Sequence, residues 1–272
     1  MGGDGGDAIF AGTIPELYEK HLVPLIFEPY ALDLARRLAE RSPARILEVA
    51  AGTGVVTRAM ASALPAGVSI VATDLNQAML DRAAAVGTAR PVEWRPADAM
   101  ALPFADAEFD AVVCQFGAMF FPQKAKAFAE SRRVLRPGGA FLFNVWDQIA
   151  QNEFADTVTT ALASVFPEDP PRFLARTPHG YHDVDAIRGD LAAAGFEARA
   201  EVTTLAARSV AESPRIPAIA YCQGTPLRGE IEARGRSTLA GATNAAATAI
   251  ARRFGAGRVD GKTQALVISV AK

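Results

Sequence analysis

Three carboxylates and two glycines carry the chemistry that this sequence offers first. Glu48 sits inside an apolar run, Gly52 and Gly54 follow it in "EVAAGTG", Asp74 ends a second apolar run and Asp98 ends a third. A buried acid is costly unless something satisfies it, and a ligand ammonium or a core arginine would each serve for Glu48. Glycine has no Cβ, so a tight glycine turn between a strand and a helix lets the backbone come close to a ligand. Asp74, twenty residues beyond Gly54, can accept hydrogen bonds from both hydroxyls of a ribose. Its other reading is a turn or cap residue. A dinucleotide, a nucleotide phosphate and an adenosyl sulfonium are all guests that this arrangement could hold.

The spacing separates them. The dinucleotide fingerprint wants a third glycine at position 57, where Thr57 stands, so that reading is weakened. A phosphate-cradling loop wants Gly-Lys-Ser/Thr, but Gly54 is followed by Val55, Val56 and Thr57, which excludes it. Asp98 with Ala99 and the small apolar loop of "ADAMALPF" could meet an adenine amino group and cover its ring.

Elements must place these residues together. Apolar runs alternating with helical patterns are the mark of a parallel sheet wound with crossover helices. The runs predict strands at 45–50, 68–74, 92–98, 109–116 and 140–146. Helices are expected over 55–64, 76–86 with Asn76 as cap, and 124–136 closed by Pro-Gly-Gly at 137–139. Residues 147–182 read as irregular. A helix follows over 183–196, an alternating strand over 196–205, and an alanine-rich helical stretch over 211–254 broken at Pro214, Pro217, Pro226 and Gly235. A last strand covers 263–272.

Composition narrows the function further. The 272 residues are 50% hydrophobic and 21% charged, with a net charge of −2 and no basic stripe, which argues against nucleic acid as the partner. No Asn/Asp-Pro-Pro-Tyr/Phe motif follows the fourth strand; "CQFGAMFFP" stands there instead. Cys114 and Cys222 are too few and too distant for a disulfide framework, and Cys114 reads as a buried thiol. No apolar run of about eighteen residues occurs, so no membrane insertion is expected. The N-terminus lacks the pattern of a secretory signal, so a cytoplasmic protein is expected.

The order "ILEVAAGTG … ATDLNQAML … PADAMALPFADAEFDAVVCQF … RRVLRPGGAFLF" resembles the class I S-adenosylmethionine-dependent methyltransferases. Within them it is most similar to the ubiquinone/menaquinone-biosynthesis-like, or methyltransferase type 11, branch. The likeness covers residues 15–146 and, loosely, the remainder. It implies an α/β fold: a doubly wound, mostly parallel seven-stranded Rossmann-like sheet with an antiparallel last strand and a helical insertion before it. The domain organisation expected is a flexible N-terminus over 1–14, a cofactor-binding core over 15–205 and 263–272, and an insertion over 206–262 that could act as a lid.

The resemblance also implies roles. Glu48, Ala50, Gly52 and Gly54 would line the methionine and ribose parts of S-adenosylmethionine, and Asp74 would hold the ribose. Leu75 and Met79 would lie near the adenine, Asp98 and Ala99 at its edge, and Gln115 at the methyl side. The segment 17–31 resembles the family's cofactor-closing N-terminal helix, which brings in Tyr18 and His21. The family usually has glycine where Ala50 stands, a departure that would tighten the pocket.

Methyl transfer from a sulfonium needs alignment above all, which can supply roughly 7–11 kcal/mol. A base is needed only where the acceptor must lose a proton. His21 and His179 are the candidate catalytic side chains, since histidine accepts a proton near neutrality. His179 and His182 flank a turn before a helix, so a surface loop is the competing reading, and without a third ligand no metal is expected. Trp146, at a strand's carboxyl end, is either a substrate wall or core cover. The expected activity is transfer of a methyl group to a small apolar or aromatic acceptor. An NAD-dependent oxidoreductase and a non-catalytic S-adenosylmethionine-binding module stand as alternatives, and dimerisation stays open.

Overall fold

The structure is a computed structural model that describes residues 12–235 and 238–272. Most of the N-terminal stretch expected to be flexible, residues 1–11, lies outside the described residues. Seven strands form one sheet: β1 (Arg45–Val49), β2 (Ser69–Asp74), β3 (Glu93–Pro96), β4 (Phe109–Gln115), β5 (Leu135–Trp146), β6 (Glu201–Ala211) and β7 (Val259–Ala271). Their order is β3-β2-β1-β4-β5-β7-β6. Strands β1 to β5 pair in parallel, as near-continuous apolar runs joined by helices require. Strand β7 runs antiparallel to β5: Lys272 exchanges backbone bonds with Gly138 and Gly139, while Asp147 N–H donates to the Gln264 carbonyl. The chain order reverses between β1 and β4, which is where wound sheets open a crevice at their carboxyl ends.

Within these strands and helices the chain gathers into two compact units. One comprises 28–145, 182–204 and 266–272. Its core is the buried set Ile46, Leu47, Val112, Val113, Phe128, Phe141 and Phe143. Phe141 stacks on Phe143 with centroids 4.7 Å apart and meets Phe196 at 6.1 Å. Helix Val55–Ala63 follows β1 and helix Gln77–Val86 follows β2. Helix Lys124–Val134 precedes β5. The Pro-Gly-Gly expected to close that helix lies instead inside β5: Leu135 already pairs with Phe109, and the register then slips before Ala111 meets Ala140.

The other unit comprises 12–27 of the described N-terminus, 146–181 and the described part of 205–265. Its framework is helical: Glu153–Val165, Arg215–Gln223, Leu227–Ala233 and Thr238–Phe254. The first of these corrects the irregular reading of 147–182. Phe154, Val158 and Leu162 recur every four residues and are all buried, a helical stripe masked by β-branched Thr157, Thr159 and Thr160. Pro217 does not break a helix either. It occupies the first turn of Arg215–Gln223, where the N–H it lacks would have no helical partner.

Two strand expectations also move. Strand β6 starts five residues later than the alternation suggested, because Phe196 is buried against Phe141 after the helix Val184–Ala193 ends at Gly195, φ +88°. Strand β7 begins at Val259, four residues before its expected start. The N-terminal helix is wound as Ile14–Leu17, then a π-helix over Tyr18–Phe27 that contains Pro24, then Glu28–Ala39. Among the described residues no helix is long and apolar enough to cross a membrane.

Candidate cofactor site

The carboxyl ends of β1, β2 and β4 bring Glu48, Asp74 and Gln115 to one edge of the sheet, with the glycine turn between β1 and its helix. Glu48 is 1% exposed and Asp74 is 8% exposed. Burial pushes the Glu48 carboxyl up to about 8, against the lowering pull of a Thr57 hydrogen bond and the Arg58 charge. Thr57 Oγ1 donates to Glu48 Oε2 at 2.5 Å. Thr57 was legible in the sequence only as a missing glycine. One turn into the helix that follows the loop, it points back to the β1 acid, and the nine-residue separation was the only signal for it.

Asp74 is pulled in two directions. Burial raises its pKa, while the N–H groups of Asn76 and Gly52 lower it. Its Oδ1 accepts from Asn76 N at 2.8 Å and its Oδ2 from Gly52 N at 2.9 Å. Asn76 makes no side-chain cap for the helix that follows, contrary to its expected role, since its amide also turns to Asp74. The turn role and a ligand role for Asp74 are compatible. A carboxylate has about four lone-pair positions; Oδ1 uses two on the Asn76 N–H and amide and Oδ2 one on Gly52 N–H, so Oδ2 is the oxygen placed to take a further donor.

The loop has its own strain. Ala50 has φ +56° and Phe116, just past β4, has φ +52°. Each left-handed non-glycine residue costs roughly 1–2 kcal/mol. Such residues gather where a neighbouring constraint holds them, often at functional sites. Here the constraint is visible. A Cβ on Gly117 would come within 2.5 Å of the Ala50 methyl and 2.8 Å of Cys114 Sγ, so the alanine at 50 fits because position 117 has no side chain. Phe116 is held by Asn144, whose carbonyl and side-chain oxygens both accept from its N–H, and by an edge contact with Tyr30 at 5.3 Å.

Gly54, φ +83°, has a structural reason: a Cβ there would lie 2.8 Å from the Trp94 ring. Between the glycines, Thr53 is 1% exposed and its hydroxyl has no hydrogen-bond partner among the described residues. Cys114, next to Gln115, is a protonated thiol, since burial pushes it up to about 12. That matches the buried-thiol reading.

Leu75 is 64% exposed beside the buried Asp74, and Met79 is buried. Asp98 accepts from Met100 N at 2.8 Å through Oδ1 and bridges to Ala101 across a tight turn, with Ala99 half-buried between them. Gln115 is half-buried and its Oε1 accepts from the Asn144 amide at 3.4 Å. All of these belong to the unit of 28–145.

Tyr18, His21, Trp146 and His179 belong to the other unit. There all but His21 stand in a row: Tyr18 stacks on Phe27 at 5.0 Å, Phe27 meets Trp146 at 6.0 Å, and Trp146 meets His179 at 6.0 Å. His179 is 5% exposed, which overturns the surface-loop reading. Its Nδ1 lies 2.9 Å from the Asp147 carbonyl oxygen. A carbonyl only accepts, so Nδ1 carries the proton and the neutral ring's lone pair is on Nε2. His21 is half-buried, and burial and the neighbouring Lys20 hold its pKa below the usual imidazole range. The expected turn before a helix is there, with Asp183 capping Val184–Ala193.

Comparison with known proteins joins this geometry to a chemistry. Residues 47–143 match the family described as a methyltransferase domain. The chain is 34% identical over 191 residues to a demethylmenaquinone methyltransferase of Thermus thermophilus, covering 66% of this chain and 85% of that protein. It is 32% identical over 166 residues to a ubiquinone/menaquinone biosynthesis C-methyltransferase of Stutzerimonas stutzeri, covering 56% and 65%. Among solved structures, it resembles a phosphoethanolamine N-methyltransferase of Haemonchus contortus in complex with S-adenosylhomocysteine. That likeness has a TM-score of 0.57 and 18% identity, over 95% of this chain and 56% of that one.

Proposed function

This chain belongs to the class I S-adenosylmethionine-dependent methyltransferases, in their ubiquinone/menaquinone-biosynthesis-like branch, and from that premise we propose that it methylates a ring carbon of a small, apolar, hydroquinone-like acceptor. The support for a ring-carbon acceptor is kinship with two relatives named for quinone methylation. The observation that carries the donor site is the pair of buried acids at the ends of β1 and β2, bonded by a hydroxyl and by backbone N–H groups.

The residues fit S-adenosylmethionine on features of this structure. Glu48 is a buried acid that burial keeps protonated near neutrality, and the amino-acid ammonium is a cation that would favour its ionised form. Thr53 offers a buried hydroxyl without a partner among the described residues. Glu48, Ala50, Gly52 and Gly54 would hold the methionine end, and Asp74 the ribose hydroxyls. Leu75 and Met79 would cover the adenine, Asp98 and Ala99 would take its edge, and Gln115 would face the methyl. Tyr18 is assigned to the same cofactor. When bound, the cofactor supplies an electrophilic methyl group.

The protein's own work is alignment, exclusion of water and removal of a proton. A hydroquinone ring carbon becomes nucleophilic when the neighbouring hydroxyl loses its proton. His21, held neutral near pH 7, and His179, with its lone pair on Nε2, are the two proposed acceptors of that proton. The proposed partition keeps 15–205 and 263–272 as the cofactor-binding core and 206–262 as a helical insertion.

The test supplies deuterated-methyl S-adenosylmethionine with reduced demethylmenaquinol, a catechol or phosphoethanolamine. Mass spectrometry then locates the label. Label on a quinol ring carbon supports the reading. Label only on catechol oxygen or on amine nitrogen overturns the ring-carbon acceptor while leaving the donor site intact.

A further inference from the structure

The loop between β3 and β4 carries Asp98 and Ala99, yet most of its anchoring comes from a helix some thirty residues away in sequence. Glu130 and Arg133 stand three apart on Lys124–Val134 and therefore share a face. Glu130 Oε2 accepts from Leu102 N at 2.8 Å. Arg133 Nη2 donates to the Leu102 carbonyl at 2.9 Å, so both peptide groups of Leu102 are gripped by one side-chain pair.

Arg133 Nη1 donates to the Phe104 carbonyl at 2.8 Å and to Asp106 Oδ1 at 2.8 Å. Nε and Nη2 donate to the two oxygens of Glu130 at 2.7 and 2.8 Å. A guanidinium has five N–H donors in a fixed fork, and here each has an acceptor. Leu102 is 4% exposed, and Phe104 packs edge-on against Phe109 at 5.1 Å. The loop therefore has one geometry, set from its far side.

A half-exposed ion pair contributes little to stability by itself. A fork that takes two backbone carbonyls and orders one loop is better explained by what the loop presents. Asp98 has Oδ1 tied to Met100 N, four residues before Leu102.

We propose that Glu130 and Arg133 are positioning residues that set adenine selectivity, holding the 97–104 loop so that Asp98 meets the base at a fixed place. The proposal rests on the assignment of Asp98 to the adenine edge. Nothing in it requires either residue to touch the cofactor.

The experiment measures by calorimetry the affinity of the whole protein for S-adenosylhomocysteine and for S-inosylhomocysteine, in which oxygen replaces the 6-amino group. The wild-type preference for the amino compound is the reference. In Arg133→Met the preference falls at least about threefold, the scale of one weakened hydrogen bond, and Arg133→Lys does not restore it because an ammonium lacks the fork. Glu130→Gln, a milder change, moves the preference in the same direction and decides the matter if Arg133→Met does not fold.

Asp98→Ala separates the two ideas. If it abolishes the preference while folded Arg133→Met and Glu130→Gln keep it, the positioning role is wrong. If Asp98→Ala leaves the preference unchanged, the assignment of Asp98 to the base is wrong, and the positioning role falls with it. A loss of affinity equal for both ligands in the Arg133 and Glu130 variants would mark a merely structural role and overturn the proposal.

Discussion

The acids of the helical unit and the two acids at the glycine loop are satisfied in opposite ways. In the helical unit, carboxylates meet arginines: Glu153 and Asp156 pair with Arg253, Glu230 with Arg176, Asp169 with Arg234, and Asp260 with Arg208. These pairs are half-exposed, and they tie helix to helix, strand to strand or, for Asp169 and Arg234, a loop to a helix end. At the glycine loop, Glu48 and Asp74 are deeply buried and receive a hydroxyl and backbone N–H groups instead. These donors fix the position of each carboxyl group, whereas the arginines of the helical unit supply a counter-charge.

The largest break to that contrast is Asp74→Ala. Removing the carboxylate takes away charge-assisted bonds to ribose and is expected to weaken S-adenosylhomocysteine binding at least about tenfold. Calorimetry on protein shown to be folded by circular dichroism checks it, with Asp74→Asn, which keeps one of the two N–H bonds, measured beside it. Unchanged affinity would reduce Asp74 to a turn residue.

Next in size is a pH effect at Glu48. Its folded pKa of about 8 lies above the ordinary 4.5. Between those values the unfolded chain has released a proton that the folded chain keeps. Stability therefore falls as pH rises through that window and levels off above it. Pairing with an ammonium needs the ionised form, so ligand binding should tighten by up to about tenfold per pH unit between pH 6 and 8. Glu48→Gln should flatten both profiles. A wild-type affinity that does not change over this range would mean that the carboxyl does not meet the ammonium.

The smallest effect tests the other side of the comparison. Arg253→Ala removes contacts to Glu153, Asp156 and Thr157 from a side chain 42% exposed. It should cost less than about 1 kcal/mol, seen as a small drop in melting temperature. Ligand affinity should stay where it was, and a tenfold loss would erase the distinction between the two sets of acids.

How much of this was legible in the residues varies with the kind of signal. Strands β1, β2 and β4 announced themselves as apolar runs, and the glycines and Asp74 by their spacing. The helix Glu153–Val165 hid behind threonines and a run of nearby prolines, although its four-residue stripe was present. Thr57 was judged against a fingerprint it does not belong to, so its bond to Glu48 was invisible until the helix turned it back towards β1. His179 looked exposed because a turn-rich stretch surrounds it, and only the tertiary packing against Trp146 buries it. Local patterns report local structure; which side chain satisfies a buried acid depends on where the chain returns.

The closeness of position 117 to Ala50 has a consequence for anyone altering the donor pocket. The methyl at 50 occupies volume that the bare backbone of Gly117 leaves beneath Cys114. Tolerance to substitution is therefore a joint property of 50, 114 and 117, positions on two distant stretches of the chain that behave as one allele. A single-site library would score Gly117 as immutable and Ala50 as nearly so, and would miss combinations in which glycine at 50 and a smaller residue at 114 admit a side chain at 117.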